Sequence, residues 1–202
     1  MPFPYDLLPC EIRLQILRNL LTHSTFIYTN SSHQLGPLYP TPLGLSPGIL
    51  LASKRAYADA IHILYRENTF QAHPQYLASS VFAIDPTRLV TAVQCIKLIK
   101  RWHVRVRLDC DPYYQPEDLR ACFDGCDSLE VEVFRSSWGK GDYEALTGFQ
   151  GVRGVKKACV YGSVGEAFAK YLEACMMNQR GQEADPWEPP LVDVGYRRKC
   201  LA

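Results

Sequence analysis

The sequence predicts an α/β (α+β) chain. A helical segment over 1–70 comes first, short irregular β-α repeat-like units with parallel strands follow over 71–181, and a C-terminal tail covers 182–202. Three observations carry this. Residues 9–21 set Ile12, Ile16, Leu17, Leu20 and Leu21 at helical spacing. Residues 103–108 and 129–133 alternate apolar and polar side chains strictly. Equivalent positions then recur 27 residues apart: Val104, Val131 and Ala158, again Val106, Val133 and Val160, with Leu119 and Leu146 between them.

Composition bounds the function classes. The 202 residues are 47% apolar and 21% charged, enough to fill a core and too apolar for disorder as the dominant state. The 22 Lys and Arg nearly cancel the 21 Asp and Glu, so no global field draws the chain to nucleic acid or an anionic membrane. The first residues lack a basic leader, and Asp6, Glu11 and Arg13 interrupt any apolar stretch there. The longest apolar run, 49–52, falls far short of the roughly 20 residues that cross a bilayer. No membrane association is expected, and the expected location is intracellular, cytoplasmic and/or nuclear. Eight Cys are spread along a chain too long to need disulfide staples, so most are expected as free, buried thiols. Cys122 and Cys126 form one close pair where a zinc framework needs two, and their spacing also suits one face of a short helix.

The elements follow in order. Pro9 opens the first helix, where its missing N–H costs nothing. Residues 22–48 form an insert whose stretch 36–48 holds four Pro and three Gly, a density that excludes regular structure. A second helix is expected over 49–65, its stripe formed by Leu50, Tyr57, Ile61 and Leu64, then an extended piece at 69–72 and a helix over 75–84. From there strands at 103–108, 129–133 and 156–160 alternate with helices at 116–126, 141–150 and 166–177. Residues 96–101 are either the start of the first of these strands or a strand of their own. The period lies within the range of leucine-rich-repeat-like units, although the asparagine ladder of true leucine-rich repeats is absent.

The charged residues are blocked rather than mixed. Residues 97–107 hold five Lys and Arg with Trp102 and no acid, a pattern suited to nucleic acid when taken alone. Residues 109–132 carry eight acids and one Arg. If residues 27 apart are neighbours on parallel strands, His103 lies beside Glu130 and Lys157, and Arg105 beside Glu132 and then Cys159. That makes the exposed strand face of His103, Arg105, Glu130, Glu132 and Lys157 a self-compensating charge ladder, which argues against nucleic acid and for a protein partner.

The first seventy residues carry a resemblance. Leu7-Leu8-Pro9-Cys10-Glu11-Ile12 and the helix after it are similar to the opening of an F-box, and the run from Leu50 to Phe70 resembles the second block of fungal F-box-like proteins of the two-EXR type. Its ending, Ile63-Leu64-Tyr65-Arg66-Glu67-Asn68-Thr69-Phe70, fits well. Ser53 stands where that phrase has Cys, and Asp59 where it has Glu. The resemblance implies a substrate receptor whose N-terminal helices dock on the adaptor of a cullin-RING ubiquitin ligase while the C-terminal units present a recognition face. It places Leu8, Pro9, Ile12, Ile16 and Leu20 at the family's adaptor-facing and core positions. The same stripe would also pack against Leu50, Tyr57, Ile61 and Leu64, and the sequence does not divide it between the two surfaces.

No catalytic constellation is apparent. The five His lie in five dissimilar contexts, and no cofactor or metal is expected. The alternative to a ubiquitin-ligase receptor is an interaction or structural protein that keeps these helices for their packing alone. Catalysis on a small molecule and nucleic-acid binding rank below both.

Overall fold

The computed structural model describes residues 5–22, 44–73, 77–83, 89–90, 92–109, 112, 114–135, 143–182, 186–187 and 195–198. Two compact units divide the chain, Met1–Thr69 and Phe70–Ala202.

In the first unit, helix α1 (Cys10–Leu21) begins directly after Pro9 and buries Arg13, Leu17 and Leu21, spaced i, i+4, i+8. Helix α2 (Lys54–Glu67) starts at Ser53, whose hydroxyl accepts the Ala56 N–H at 3.0 Å, and buries Ala56, Ala60 and Ile63. Leu17, Leu21, Ala60 and Ile63 form the core between them, with Leu14, Leu20, Ile49, Leu50 and Leu64 packed around it. The single helix expected over 49–65 is therefore corrected. A 3-10 turn, Pro47–Leu51, is followed by a break, because Ser53 caps a new helix rather than continuing the old one. The face expected to hold Tyr57 is rotated too, and Tyr57 is 45% exposed. Asn68 ties the unit together, its buried amide donating to the carbonyls of Leu21 (2.7 Å) and Leu64 (2.8 Å) near the C-terminal ends of both helices. Most of the Pro-rich insert, 23–43, lies outside the described residues. After it, the Ser46 N–H bonds to the Leu20 carbonyl at 2.8 Å.

The second unit is a mixed six-stranded sheet in the order β3-β2-β1-β4-β5-β6. Its strands are β1 (Phe70–His73), β2 (Leu77–Ala83), β3 (Leu89–Val90), β4 (Arg101–Arg107), β5 (Ser128–Phe134) and β6 (Lys157–Gly162). Strands β1, β4, β5 and β6 run parallel, as the β-α reading requires, while β2 and β3 are antiparallel additions. The helix expected over 75–84 is thus corrected to strand β2. Leu77, Val81 and Phe82 suit either periodicity, and pairing with β1 decides. Residues 93–96 close a short helix α3 (Val93–Ile96), so β4 begins at Arg101 and 96–101 is not a separate strand.

Helices α4 (Pro116–Phe123), α5 (Glu144–Thr147) with the 3-10 turn Gly148–Gly151, and α6 (Glu166–Met177) cross between or follow the parallel strands. A capping box between Gln115 and Asp118 opens α4. Trp102, Val104, Val106, Leu129, Val131, Val133 and Val160 from the sheet are buried, as are Leu119, Phe123, Leu146, Phe149, Phe168, Leu172 and Met176 from the helical segments. Trp102 meets Phe123 edge-on at 5.6 Å, and Phe123 stacks on Phe149 at 6.4 Å.

The end of β6 is set by Gly162, at φ +104°. A Cβ there would lie 2.0 Å from the Val133 carbonyl oxygen on the neighbouring strand. Both the backbone angle and the close approach require glycine. Gly162→Ala is expected to lower unfolding free energy by at least about 1–3 kcal/mol in urea denaturation, whereas Gly48→Ala, with nothing near its Cβ, should change it far less.

Candidate functional site

The strand face expected to recognise a partner exists, with two corrections. Between β4 and β5 the register places His103 opposite Glu130 and Arg105 opposite Glu132, 27 residues apart. Between β5 and β6 the interval is 29, so Glu130 faces Cys159, Glu132 faces Tyr161, and Lys157 lies opposite Ser128. The expected adjacencies of Lys157 to Glu130 and of Cys159 to Glu132 are overturned. The reason lies in the other face of the sheet: the shift sets Val160 against Val131 and puts Gly162 under the Val133 carbonyl. A two-residue shift leaves every side chain on its expected face.

The second correction concerns His103, which is fully buried although it points to the face expected to be exposed. Its Nε2 lies 3.2 Å from the Tyr161 hydroxyl and 3.3 Å from Glu132 Oε2. A buried imidazole needs a hydrogen-bonding partner, and Tyr161 on β6 supplies one, with the Glu132 carboxylate of β5 beside it. Glu132 also pairs with Arg105 Nε at 3.2 Å, and the Arg105 guanidinium lies 4.9 Å from the Phe134 ring centroid. Sequence reasoning missed Tyr161, and the only available signal was its odd-numbered position on β6. Around this cluster Arg105, Glu130 and Glu132 are half-buried and Lys157 is exposed.

The basic and acidic blocks do meet. Arg105 pairs with Glu132, and Arg107 donates from Nε and Nη2 to the Asp109 carboxylate, both at 2.7 Å. Arg105 and Arg107 thus each carry an acidic partner, with 41% and 45% of their side chains still exposed.

The α1 residues divide between two surfaces. Pro9 is exposed, Ile12 is 44% exposed and Ile16 36%, while Leu8 and Leu20 are half-buried and Leu20 packs on the core. Leu7, 82% exposed, extends the apolar stretch just before the helix. The division follows from Arg13, which the amphipathic pattern assigns to the solvent side. It is 7% exposed: its Nε pairs with Asp59 Oδ2 at 3.2 Å, its Nη1 donates to the Leu8 carbonyl at 3.1 Å, and its guanidinium lies 5.7 Å from the Tyr5 ring centroid. Tyr5 donates to the same Asp59 oxygen at 3.3 Å. Burial, reinforced by the Asp59 charge, raises the Tyr5 pKa.

Other features carry little chemistry. Among the described residues, no three His, Cys, Asp or Glu side chains gather as a metal site. Burial pushes the Cys126 thiol up to about 12, so it is an inert core sulfur. A shallow cleft of about 550 Å³ among the helices is lined by Arg120, Gly151, Arg153, Tyr171 and Trp187. Arg153 acts there as a strut, donating to the carbonyls of Gln150, Val152, Cys175 and Gln182 at the ends of the 148–151 turn and α6. Among the described residues, no helix is long and apolar enough to cross a membrane. No protein family, no characterised protein sequence and no solved structure matches the chain.

A charge-reversal cycle tests the adjacency on which the strand face rests. Glu132→Lys is expected to destabilise by about 1–3 kcal/mol, because it sets a cation beside Arg105 and His103. In an Arg105→Glu background the same change should cost about 0.5–1 kcal/mol less. Denaturant unfolding of the four chains reads the coupling, and a value of zero would contradict the pairing.

Proposed function

We propose that this chain is a protein-interaction module, an F-box-like substrate receptor that docks through α1 on the adaptor of a cullin-RING ubiquitin ligase and presents the β4-β5-β6 face to a target. One observation carries the proposal. Ile12 and Ile16, one helical turn apart, keep about two-fifths of their surface in water, while Leu17 and Leu21 on the same helix are completely buried. Pro9, Ile12 and Ile16 are among the positions that the F-box resemblance assigns to adaptor-facing and core residues, and the exposed Leu7 lies just before them. Full burial of an exposed isoleucine is worth roughly 1.5–3 kcal/mol, so covering the remaining two-fifths adds about 0.6–1.2 kcal/mol each, which suits a helix-in-groove partner.

The target side of the reading is supported by the parallel strands, which deliver alternate side chains onto one face at fixed spacing. Arg105, Glu130, Glu132 and Lys157 line that face. His103 stiffens it from within through Tyr161 and Glu132.

The test is co-purification of the intact chain with the adaptor, repeated after Pro9→Ala and Ile12→Asp. Because Ile12 is already 44% exposed, the aspartate should leave the melting transition nearly unchanged. Adaptor binding is expected to fall at least tenfold. Failure of the intact chain to bind defeats the adaptor reading and favours an interaction or structural protein in which the helices serve their own core, which the closed packing of Leu17, Leu21, Ala60 and Ile63 would equally suit.

A further inference from the structure

Strand β6 lies at the end of the sheet order, so its outer backbone groups need cover. They receive it from two places. Gly162 makes an antiparallel bridge with Arg197: its N–H donates to the Arg197 carbonyl at 2.8 Å, and the Arg197 N–H returns to its carbonyl at 2.9 Å. Two residues earlier, the Val160 N–H donates to Glu173 Oε1 at 2.7 Å, and the Val160 carbonyl accepts from Arg197 Nη1 at 3.0 Å.

The Arg197 side chain is itself held in a socket. Its Nη1 lies 2.6 Å from Glu173 Oε1 and its Nε 2.9 Å from Glu166 Oε2, two carboxylates seven residues apart on α6. Arg197 and Glu173 are only 9% and 12% exposed as side chains, whereas Glu166 is 56% exposed and also pairs with Lys170 at 3.1 Å. Two acids and one carbonyl thus read several donors of a single guanidinium, a geometry that a lysine ammonium does not reproduce. A strand edge beside a side-chain socket is the arrangement by which sheets take up extended peptides, the backbone supplying affinity and the pocket specificity.

We propose that the outer edge of β6, with the Glu166–Glu173 socket beside it, is a binding site for an extended arginine-bearing segment of a partner protein, and that residues 195–198 fill it in cis. Charge complementarity selects the partner: removal of Arg197 leaves a largely buried carboxylate, Glu173, next to the edge, and an incoming guanidinium compensates it. Among the described residues, 195–198 meet the β6 backbone through one antiparallel bridge beside the Arg197 side-chain contacts, so a longer strand that carries the same arginine and adds backbone bonds competes with them. The site is separate from the strand face discussed above and does not depend on the adaptor reading.

The experiment uses the full chain carrying Arg197→Ala and a fluorescently labelled peptide of residues 193–199. The peptide is expected to bind this chain at least tenfold more tightly than the intact chain, where the cis segment competes. Adding Glu173→Gln, or placing Arg197→Ala in the peptide instead, should each weaken binding at least tenfold. A folded Arg197→Ala chain that binds neither peptide, or both equally, overturns the proposal. So does its conversion to a dimer without peptide uptake, which would assign the edge to a second copy. If Arg197→Ala abolishes cooperative melting, Arg197→Lys takes its place, with hydrogen exchange as the readout. Excess peptide should then slow exchange at the Val160 and Gly162 amides, and unchanged rates would overturn the proposal.

Discussion

The pairing of Arg13 with Asp59 sets the rotation of α1 against α2, and the functional reading of the first unit depends on that rotation. A guanidinium at 7% exposure is tolerated only with its charge matched: Asp59 supplies the opposite charge at 3.2 Å, and the Leu8 carbonyl accepts from Nη1. With Arg13 directed at α2, its i+4 and i+8 neighbours Leu17 and Leu21 must face the same way. Ile12 and Ile16 are then turned toward water, and Tyr5, bonded to the same carboxylate, holds the residues before the helix against it. A buried charge is a costly way to stabilise two helices. It is a specific way to decide which of two nearly equal apolar stripes is hidden.

An analogous constraint governs the second unit. The parallel register could have followed the 27-residue period throughout, and it does so between β4 and β5. At β6 the interval is 29, and it seats Gly162, a residue without a Cβ, beneath the Val133 carbonyl, with Val160 opposite Val131. Because the shift is even, the outward residues keep their face, but their neighbours change. Tyr161 replaces Cys159 beside Glu132, and His103 gains a hydroxyl partner.

These two cases show what was legible in the sequence. Helix α1, strands β4 and β5 and their mutual register follow from local periodicity and one repeat interval, and the mixed α/β class follows from them. Features set by contacts between distant residues were not legible. The amphipathic pattern puts Arg13 with the polar residues because nothing near it in sequence announces Asp59. Leu77–Ala83 satisfies helical spacing as well as strand spacing until β1 is present to pair with it. Ser53 did carry a local signal, a capping hydroxyl three residues before Ala56, and it marks a helix start that the apolar stripe of 49–65 obscured. The hold of Arg197 on Glu166 and Glu173 spans more than twenty residues, and no spacing rule reaches it.

The native chain carries a reporter for the central claim. Cys10 is exposed at the first position of α1, between Pro9 and Ile12, whereas Cys122 and Cys159 are partly covered in the other unit. Alkylation of the three thiols, followed peptide by peptide with mass spectrometry, measures their accessibility with and without the adaptor of a cullin-RING ligase. If α1 docks through Pro9, Ile12 and Ile16, saturating adaptor slows modification of Cys10 at least tenfold and leaves Cys122 and Cys159 unchanged. An unaltered rate at Cys10 under those conditions would contradict the account.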